Sequence, residues 1–141
     1  MAHWLVKSEP FKWSWDQQVK AGPKGTHWDG VRNHLAKLNM MKMKKGETGF
    51  FYHSNEGLEI VGIVEVIREA YPDPTANPGE PWVWVDFAAV KPLPRPISLK
   101  EIKATPELAR MSLVTCMRLS VQPVTDEEWA RINRMAGLSD R

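Results

Sequence analysis

The chain carries short runs of apolar and alternating residues that are typical of β-strands. Strands are predicted at residues 3–8, 48–54, 58–69, 82–90 and 117–122. Their spacing is irregular and does not follow the strand–helix alternation of a parallel α/β fold. The pattern therefore predicts an α+β fold, in which a small mixed, mainly antiparallel β-barrel is flanked by short helices.

Helix starts are marked by three capping boxes, in which Ser or Thr is followed three residues later by Glu or Gln. These boxes begin at Ser14, Ser98 and Thr125. Another short helix is predicted after Thr105, because Pro106 then takes the first helical position, where proline is favoured. The sequence therefore predicts short helices between and after the strands.

The longest helix is predicted to open at Gly30 and to end at Gly46. Arg32 and Asn33 then fall in its first turn, directly after Trp28. The apolar face of this helix is predicted to consist of Val31, Leu35, Ala36, Leu38, Met40 and Met43. Because a helix start leaves backbone N–H groups without partners, it can meet a ligand.

Glycine and proline predict where strands bulge, end or give way to loops. Gly62 lies inside a β-branched run and predicts a bulge or the close approach of another group. Residues 71–81 hold four prolines and are predicted to form an exposed loop. Pro92, Pro94 and Pro96 are predicted to end the strand that precedes them.

Composition adds two constraints. No linker divides the 141 residues, so residues 1–141 are predicted to form a single domain. The seven tryptophans exceed what a small core usually needs, which indicates that some line a site. A net charge of +2 and a pI near 8.7 permit contact with nucleic acid but do not require it.

Cys116 is the only cysteine, which excludes a disulfide framework and a cysteine metal site. No apolar run approaches the roughly 18 residues of a membrane span, and no signal-peptide pattern is present. We therefore expect a cytoplasmic protein without contact with a membrane and without a metal or a cofactor. The oligomeric state is not predicted.

The chain shows no established catalytic motif. His53 and Ser54 are neighbours on a strand and point to opposite faces, so they do not form a nucleophile–base pair. The expectation is a protein that is not an enzyme. The alternative is an enzyme acting on a modified base or nucleotide, with Glu9 or His53 as the acting group.

Three polar corners fall at predicted element boundaries, where side chains converge on pockets. They are Lys7-Ser8-Glu9, Trp28 with Arg32-Asn33, and Tyr52-His53-Ser54. An indole beside hydrogen-bonding groups suits a nucleobase. The other interpretation is that Trp28 belongs to the core and Asn33 only caps a helix.

A basic cluster at the end of the long helix consists of Lys42, Lys44 and Lys45. With Arg32, these residues are the candidates for phosphate contact. The alternative is a solvated helix C-terminus, where lysines also suit the helix dipole.

Four motifs resemble the EVE domain family of the PUA-like superfamily, a relative of the YTH domains. They are residues 4–10 (WLVKSEP), 28–33 (WDGVRN), 51–54 (FYHS) and 118–124 (RLSVQPV). The resemblance implies a PUA-like barrel with surrounding helices. It also implies a pocket that receives a flipped, modified nucleobase of DNA or RNA.

The resemblance further implies which residues build the pocket. They are Ser8, Glu9, Trp28, Val31, Asn33, His53 and Ser54, with Arg118 and Ser120 in the lower wall. In this interpretation Trp28 stacks on the base, Asn33 reads its polar edge, and Val31 faces a methyl substituent. Where the family motif often continues with Tyr-Gln, this chain has His34-Leu35.

Overall fold

The structure is a computed structural model that describes residues 1–138. Within them, the strands are β1 (His3–Ser8), β2 (Thr26–His27), β3 (Thr48–His53), β4 (Glu59–Pro72), β5 (Val83–Ser98) and β6 (Val121–Val124). The helices are α1 (Trp15–Lys20), α2 (His34–Lys42), α3 (Leu99–Lys103), α4 (Ser112–Thr115) and α5 (Asp126–Met135). Short 3₁₀ turns cover Gly22–Lys24 and Pro106–Leu108.

The strands form one mixed sheet in the order β2-β5-β4-β3-β1-β6. β1 runs parallel to β3, and every other neighbouring pair is antiparallel. The mixed, mainly antiparallel α+β prediction is thus confirmed. The predicted closure into a barrel is wrong for the described residues, because β2 and β6 at the two ends of the sheet do not pair with each other. β2 is two residues long and β6 four, so neither offers a long ladder for closure.

Both faces of the sheet are apolar, and alternation along the strands assigns residues to each face. In β1, Trp4 and Val6 join one cluster, which α1 and α2 cover, whereas Leu5 joins the other cluster. The second cluster is covered by α3, α4 and α5, for example by Trp129. Helices therefore pack on both sides, and the cluster under α1 and α2 includes Trp28.

The long helix starts later than predicted. Gly30 has a positive φ of 72°, and Asn33 is extended, so α2 begins only at His34. The Asn33 side chain caps the helix by accepting the N–H of Ala36 at 2.9 Å. The helix itself ends at Lys42, before Gly46.

The predicted apolar face of this helix is partly wrong. Leu35 and Leu38 are 52% and 46% exposed. Asn39 is buried in their place, since its Nδ2 donates to the carbonyl of Val121 at 2.8 Å. A buried amide with a partner on β6 therefore turns the helix so that the two leucines face solvent.

The prolines of β5 do not end it. β5 continues through Pro92, Pro94 and Pro96 to Ser98, and Ile97 still pairs with Ile60 of β4. β2 pairs with β5 only at residues 86–87, so this part of β5 lies at the edge of the sheet, and its register with β4 shifts between Pro92 and Ile97. Proline is tolerated at edges and bulges of this kind.

Two other boundaries also differ from the prediction. β6 starts at Val121 instead of residue 117, since Gln122 Nε2 binds the carbonyls of Cys116 and Leu119 and fixes a turn there. The loop predicted from residue 71 starts after Pro72, where β4 ends. α4 and the two-residue strand β2 were not predicted.

The three capping boxes in the sequence predicted the starts of three helices correctly. The side chains of Ser14, Ser98 and Thr125 accept backbone N–H groups at the starts of α1, α3 and α5. The box at Ser98 is one-sided, because the carboxylate of Glu101 binds Arg95 through two contacts of 2.8 Å.

Gly62 lies at a bulge and at a close approach, as predicted. The pairing register shifts between Ile60 and Gly62. A Cβ built on Gly62 would lie 2.4 Å from the ring of Trp15. Glycine is therefore required here by the indole that α1 places on β4.

We predict that Gly62→Ala lowers the free energy of unfolding by about 1–3 kcal/mol, because the added methyl overpacks the Trp15 ring. Urea denaturation measures this loss. In a Trp15→Phe background, the smaller ring makes room and the same substitution should cost less. An equal loss in both backgrounds would contradict the clash.

Candidate nucleic-acid interface

A cavity of about 650 Å³ opens where β1 ends. Its walls come from the end of β1, the turn that follows, the loop before α2 and the segment before β6. The lining residues are Lys7, Ser8, Glu9, Lys12, Trp13, Thr26, His27, Trp28, Asp29, Gly30, Val31, Ser54, Met117, Arg118 and Ser120. Residues distant in sequence thus meet at one corner of the sheet.

Backbone hydrogen bonds hold these segments together. The N–H of Ser54 donates to the carbonyl of Ser8 at 2.9 Å, and the N–H of Lys7 donates to Ser120 at 2.9 Å. On the far side, the N–H of Trp28 donates to Val85 of β5 at 2.8 Å. The cavity walls are therefore fixed to the sheet.

The turn after β1 is also tightly held. The carbonyl of Glu9 accepts the N–H groups of Lys12 and Trp13, at 2.9 and 3.0 Å. The Ser8 hydroxyl donates to the carbonyl of Trp13 at 2.5 Å. The Trp13 indole N–H donates to buried Gln18 at 2.8 Å. Trp13 is half-buried and supplies an oriented aromatic surface to the cavity.

Trp28 is both a core residue and a cavity wall. It is 6% exposed and packs edge-to-face against Phe51 and Phe87, with ring centroids 5.5 and 5.6 Å away. The same side chain lines the cavity. Trp28 therefore combines the core position that one interpretation of the sequence gave it with a place in the cavity lining.

Charges of both signs surround the cavity. Lys12 lies 3.8 Å from the carboxylate of Glu9, and His27 lies 3.6 Å from that of Asp29. His27 also stacks on Trp84, with ring centroids 3.8 Å apart. The cavity thus offers carboxylate acceptors and cationic donors beside aromatic rings.

Lys7 is the most enclosed cation in the cavity wall. Its ammonium group donates to the carbonyl of Met117 and lies 5.9 Å from the ring of Tyr52. Burial lowers the pKa of Lys7, and the nearby Cys116 acts in the opposite direction. The ammonium therefore bridges β1 to the segment before β6.

Seven of the nine predicted pocket residues line the cavity. They are Ser8, Glu9, Trp28, Val31, Ser54, Arg118 and Ser120. Asn33 and His53 are not among the lining residues. The amide oxygen of Asn33 caps α2, and Nε2 of His53 accepts the N–H of Trp15 at 3.1 Å. Both side chains are used to hold elements next to the cavity.

The predicted phosphate contacts are separated. Arg32 donates to the buried carboxylate of Asp73 at 3.1 Å and lies over the ring of Trp82, which fixes the loop after β4. Lys42, Lys44 and Lys45 are exposed. They lie at the far end of α2, a helix of nine residues and about 13 Å.

The sequence interpretation missed several lining residues, above all Lys12, Trp13, His27 and Met117. One signal was available for two of them. Lys12-Trp13 joins a cation to an aromatic residue between a strand end and the Ser14 cap. The contribution of Met117 depends on the fold alone, because it is brought to the cavity by the turn before β6.

In residues 1–138, no cluster of three or more His, Cys, Asp or Glu side chains is placed to hold a metal ion. The helices of the same residues are all too short or too polar to cross a membrane.

The contact of His53 with Trp15 makes stability depend on pH. Burial lowers the pKa of His53 from its ordinary value of 6.5, although Glu59 and Asp16 act in the opposite direction. Only the unprotonated Nε2 accepts the Trp15 N–H. The stabilisation is therefore complete above pH 6.5 and is lost as the pH falls through the lower pKa of the folded state.

We predict that His53→Ala costs about 1–3 kcal/mol at pH 8, because it leaves a backbone N–H without its partner. The difference from the unmodified protein should shrink as the pH approaches 5, in urea denaturation at several pH values. His53→Gln is the control, since its amide oxygen can accept the same N–H without titrating. A difference that is constant with pH would contradict this role.

Comparison with known proteins places these features in a family. The EVE domain family model matches residues 2–135. The chain is 38% identical to human thymocyte nuclear protein 1, over 91% of this chain and 71% of that protein.

Solved structures agree with this match. A protein of Agrobacterium tumefaciens superposes with a TM-score of 0.97 at 56% identity, over 100% of this chain and 97% of that one. The structure of human THYN1 in complex with 5-methylcytosine containing DNA superposes with a TM-score of 0.87 at 36% identity. The match covers 96% of this chain and 98% of that one.

A more distant likeness concerns the fold alone. A Zygosaccharomyces rouxii YTH domain gives a TM-score of 0.59 at 14% identity, over 98% of this chain and 88% of that one. It shows that the YTH-like expectation for the fold is correct. The sequence match and the superpositions lead to one conclusion: the chain belongs to the EVE domain family.

Proposed function

We propose that residues 1–141 act as one non-catalytic EVE module that binds DNA or RNA carrying a modified base. The flipped base enters the cavity at the end of β1. The observation that carries this proposal is the cavity of about 650 Å³, which joins Trp13 and Trp28 to polar groups of Ser8 and Glu9. The human relative in complex with 5-methylcytosine containing DNA supports it.

The cavity suits a flat, polar-edged ligand. Its volume falls within the range of about 300–1,000 Å³ that is usual for small-molecule sites. Removing a base from its stack costs a few kcal/mol, and stacking on an aromatic wall returns about 1–3 kcal/mol. The carboxylate of Glu9 can accept the amino group of cytosine, while the hydroxyl of Ser54 offers a further polar contact.

Selection of a modified base needs a contact that a plain base cannot make. Val31 is 5% exposed and lines the cavity, so its methyl groups can cover a methyl substituent. Burying one such carbon is worth about 0.8 kcal/mol. Asn33 and His53 support the pocket from behind, because one fixes the start of α2 and the other holds Trp15.

The geometry favours binding over the catalytic alternative. Nε2 of His53 is occupied by the N–H of Trp15, and Glu9 faces Lys12. Neither contact links a nucleophile to a base in the cavity. The cytoplasmic location stays a prediction, since the curated relatives are named as nuclear proteins.

Val31→Ala should reduce discrimination between modified and plain bases. A single buried methyl predicts a preference of about fourfold for 5-methylcytosine over cytosine in the unmodified protein, and the variant should approach equal affinity. Quenching of tryptophan fluorescence by matched oligonucleotides measures the dissociation constants for the modified and the plain base. Val90→Ala, at a site 48% exposed and away from the cavity lining, is the control. An unchanged preference in folded Val31→Ala would contradict the role of Val31.

Lys44→Ala and Lys45→Ala test the proposed phosphate contacts. Each substitution should make the negative slope of log K against log salt less steep by about 0.9 for duplex DNA, because one counterion fewer is released. Lys103→Ala is the matched control, since Lys103 belongs to α3 on the opposite face of the sheet. If the salt dependence of both variants equals that of the control, these lysines do not contact phosphate.

A further inference from the structure

The turn after β1, next to the cavity, carries an exposed phenyl ring that is not explained by packing. Phe11 is 62% exposed, and it belongs to neither apolar cluster of the described residues. Its neighbours Glu9, Lys12 and Trp13 all line the cavity. The phenyl group is thus carried by a turn in which three nearby residues line the cavity.

The turn that carries Phe11 is rigid. Its two ends are tied by the hydrogen bonds from Lys12 and Trp13 to the carbonyl of Glu9. Pro10 restricts the backbone directly before Phe11. The Ser8 hydroxyl fixes the far end of the turn through the carbonyl of Trp13. The backbone that carries this exposed ring is therefore fixed before any ligand arrives.

The surroundings of Phe11 match a nucleic acid. Lys12, next in the chain, has 70% of its side chain exposed and can meet a phosphate. Arg118 adds a second cation to the same mouth, and Met117 adds a second apolar side chain, 56% exposed. Apolar groups flanked by cations fit a base stack between two charged backbones.

We propose that Phe11 inserts into the base stack of a duplex and fills the gap that the flipped base leaves. This inference rests on the proposed function, because a gap forms only if a base enters the cavity. A flipped base leaves its neighbours and its partner base without a stacking contact. Phe11 restores that contact from the turn that also forms the wall around the extruded base.

The inference predicts a difference between duplex and single strand. A single strand has no gap to fill, so the ring contributes little to its binding. In a duplex, loss of the ring removes a stacking contact that is worth roughly 5- to 150-fold in affinity. Phe11→Leu should retain part of this effect, because leucine also serves as an apolar wedge.

The experiment measures binding of the full chain and its variants to a 12-base-pair duplex with one central 5-methylcytosine. The same methylated strand alone and the unmethylated forms complete the set. We expect Phe11→Ala to weaken duplex binding by about tenfold and single-strand binding by less than about twofold. Val19→Ala, 49% exposed on α1 and outside the cavity lining, should change neither. Equal urea midpoints show that Phe11→Ala is folded.

The outcomes separate the two proposals. If the unmodified protein binds methylated and unmethylated DNA equally, the proposed function fails for 5-methylcytosine in DNA. If it discriminates, but Phe11→Ala weakens duplex and single strand to the same extent or weakens neither, the role of Phe11 is overturned. Binding of the methylated strand without any binding of the duplex overturns it as well.

Discussion

The parallel pairing of β1 with β3 is the constraint on which the site depends. Strands that run in the same direction end at the same edge of the sheet, so Ser8 lies beside His53. The next residue, Ser54, then donates its N–H to Ser8. An antiparallel pair would have placed these two strand ends at opposite edges. The only parallel ladder among the described strands is thus what assembles the polar corner of the cavity.

Polar side chains around this corner hold the loops in place. Asp73 shows the principle: burial alone would raise its pKa, but hydrogen bonds from Thr75 and Arg32 more than offset this and lower it. The charged carboxylate then fixes the loop after β4 to the start of α2. Gln18 acts similarly, because it links the Trp13 indole to the carbonyl of Phe87. Walls that are fixed before binding lose less conformational entropy when a ligand enters.

The sequence predicted those parts of the fold that depend on local chemistry. β1, β3 and the capped starts of α1 and α5 follow from patterns within a few residues. β2 is too short to leave a periodic signal, and it exists only because β5 pairs with it. The family motifs indicated most of the cavity wall. Trp13 was missed because its orientation depends on Gln18, a partner that only the folded structure identifies.

The prolines of β5 have a consequence for how molecules meet in a crowded solution. Proline has no backbone N–H, so Pro92, Pro94 and Pro96 remove three donors from an edge segment whose register with β4 is irregular. A polypeptide that approached this border would find an interrupted row of donors and could not complete a regular ladder. The stretch therefore resists the intermolecular strand addition by which open sheets aggregate.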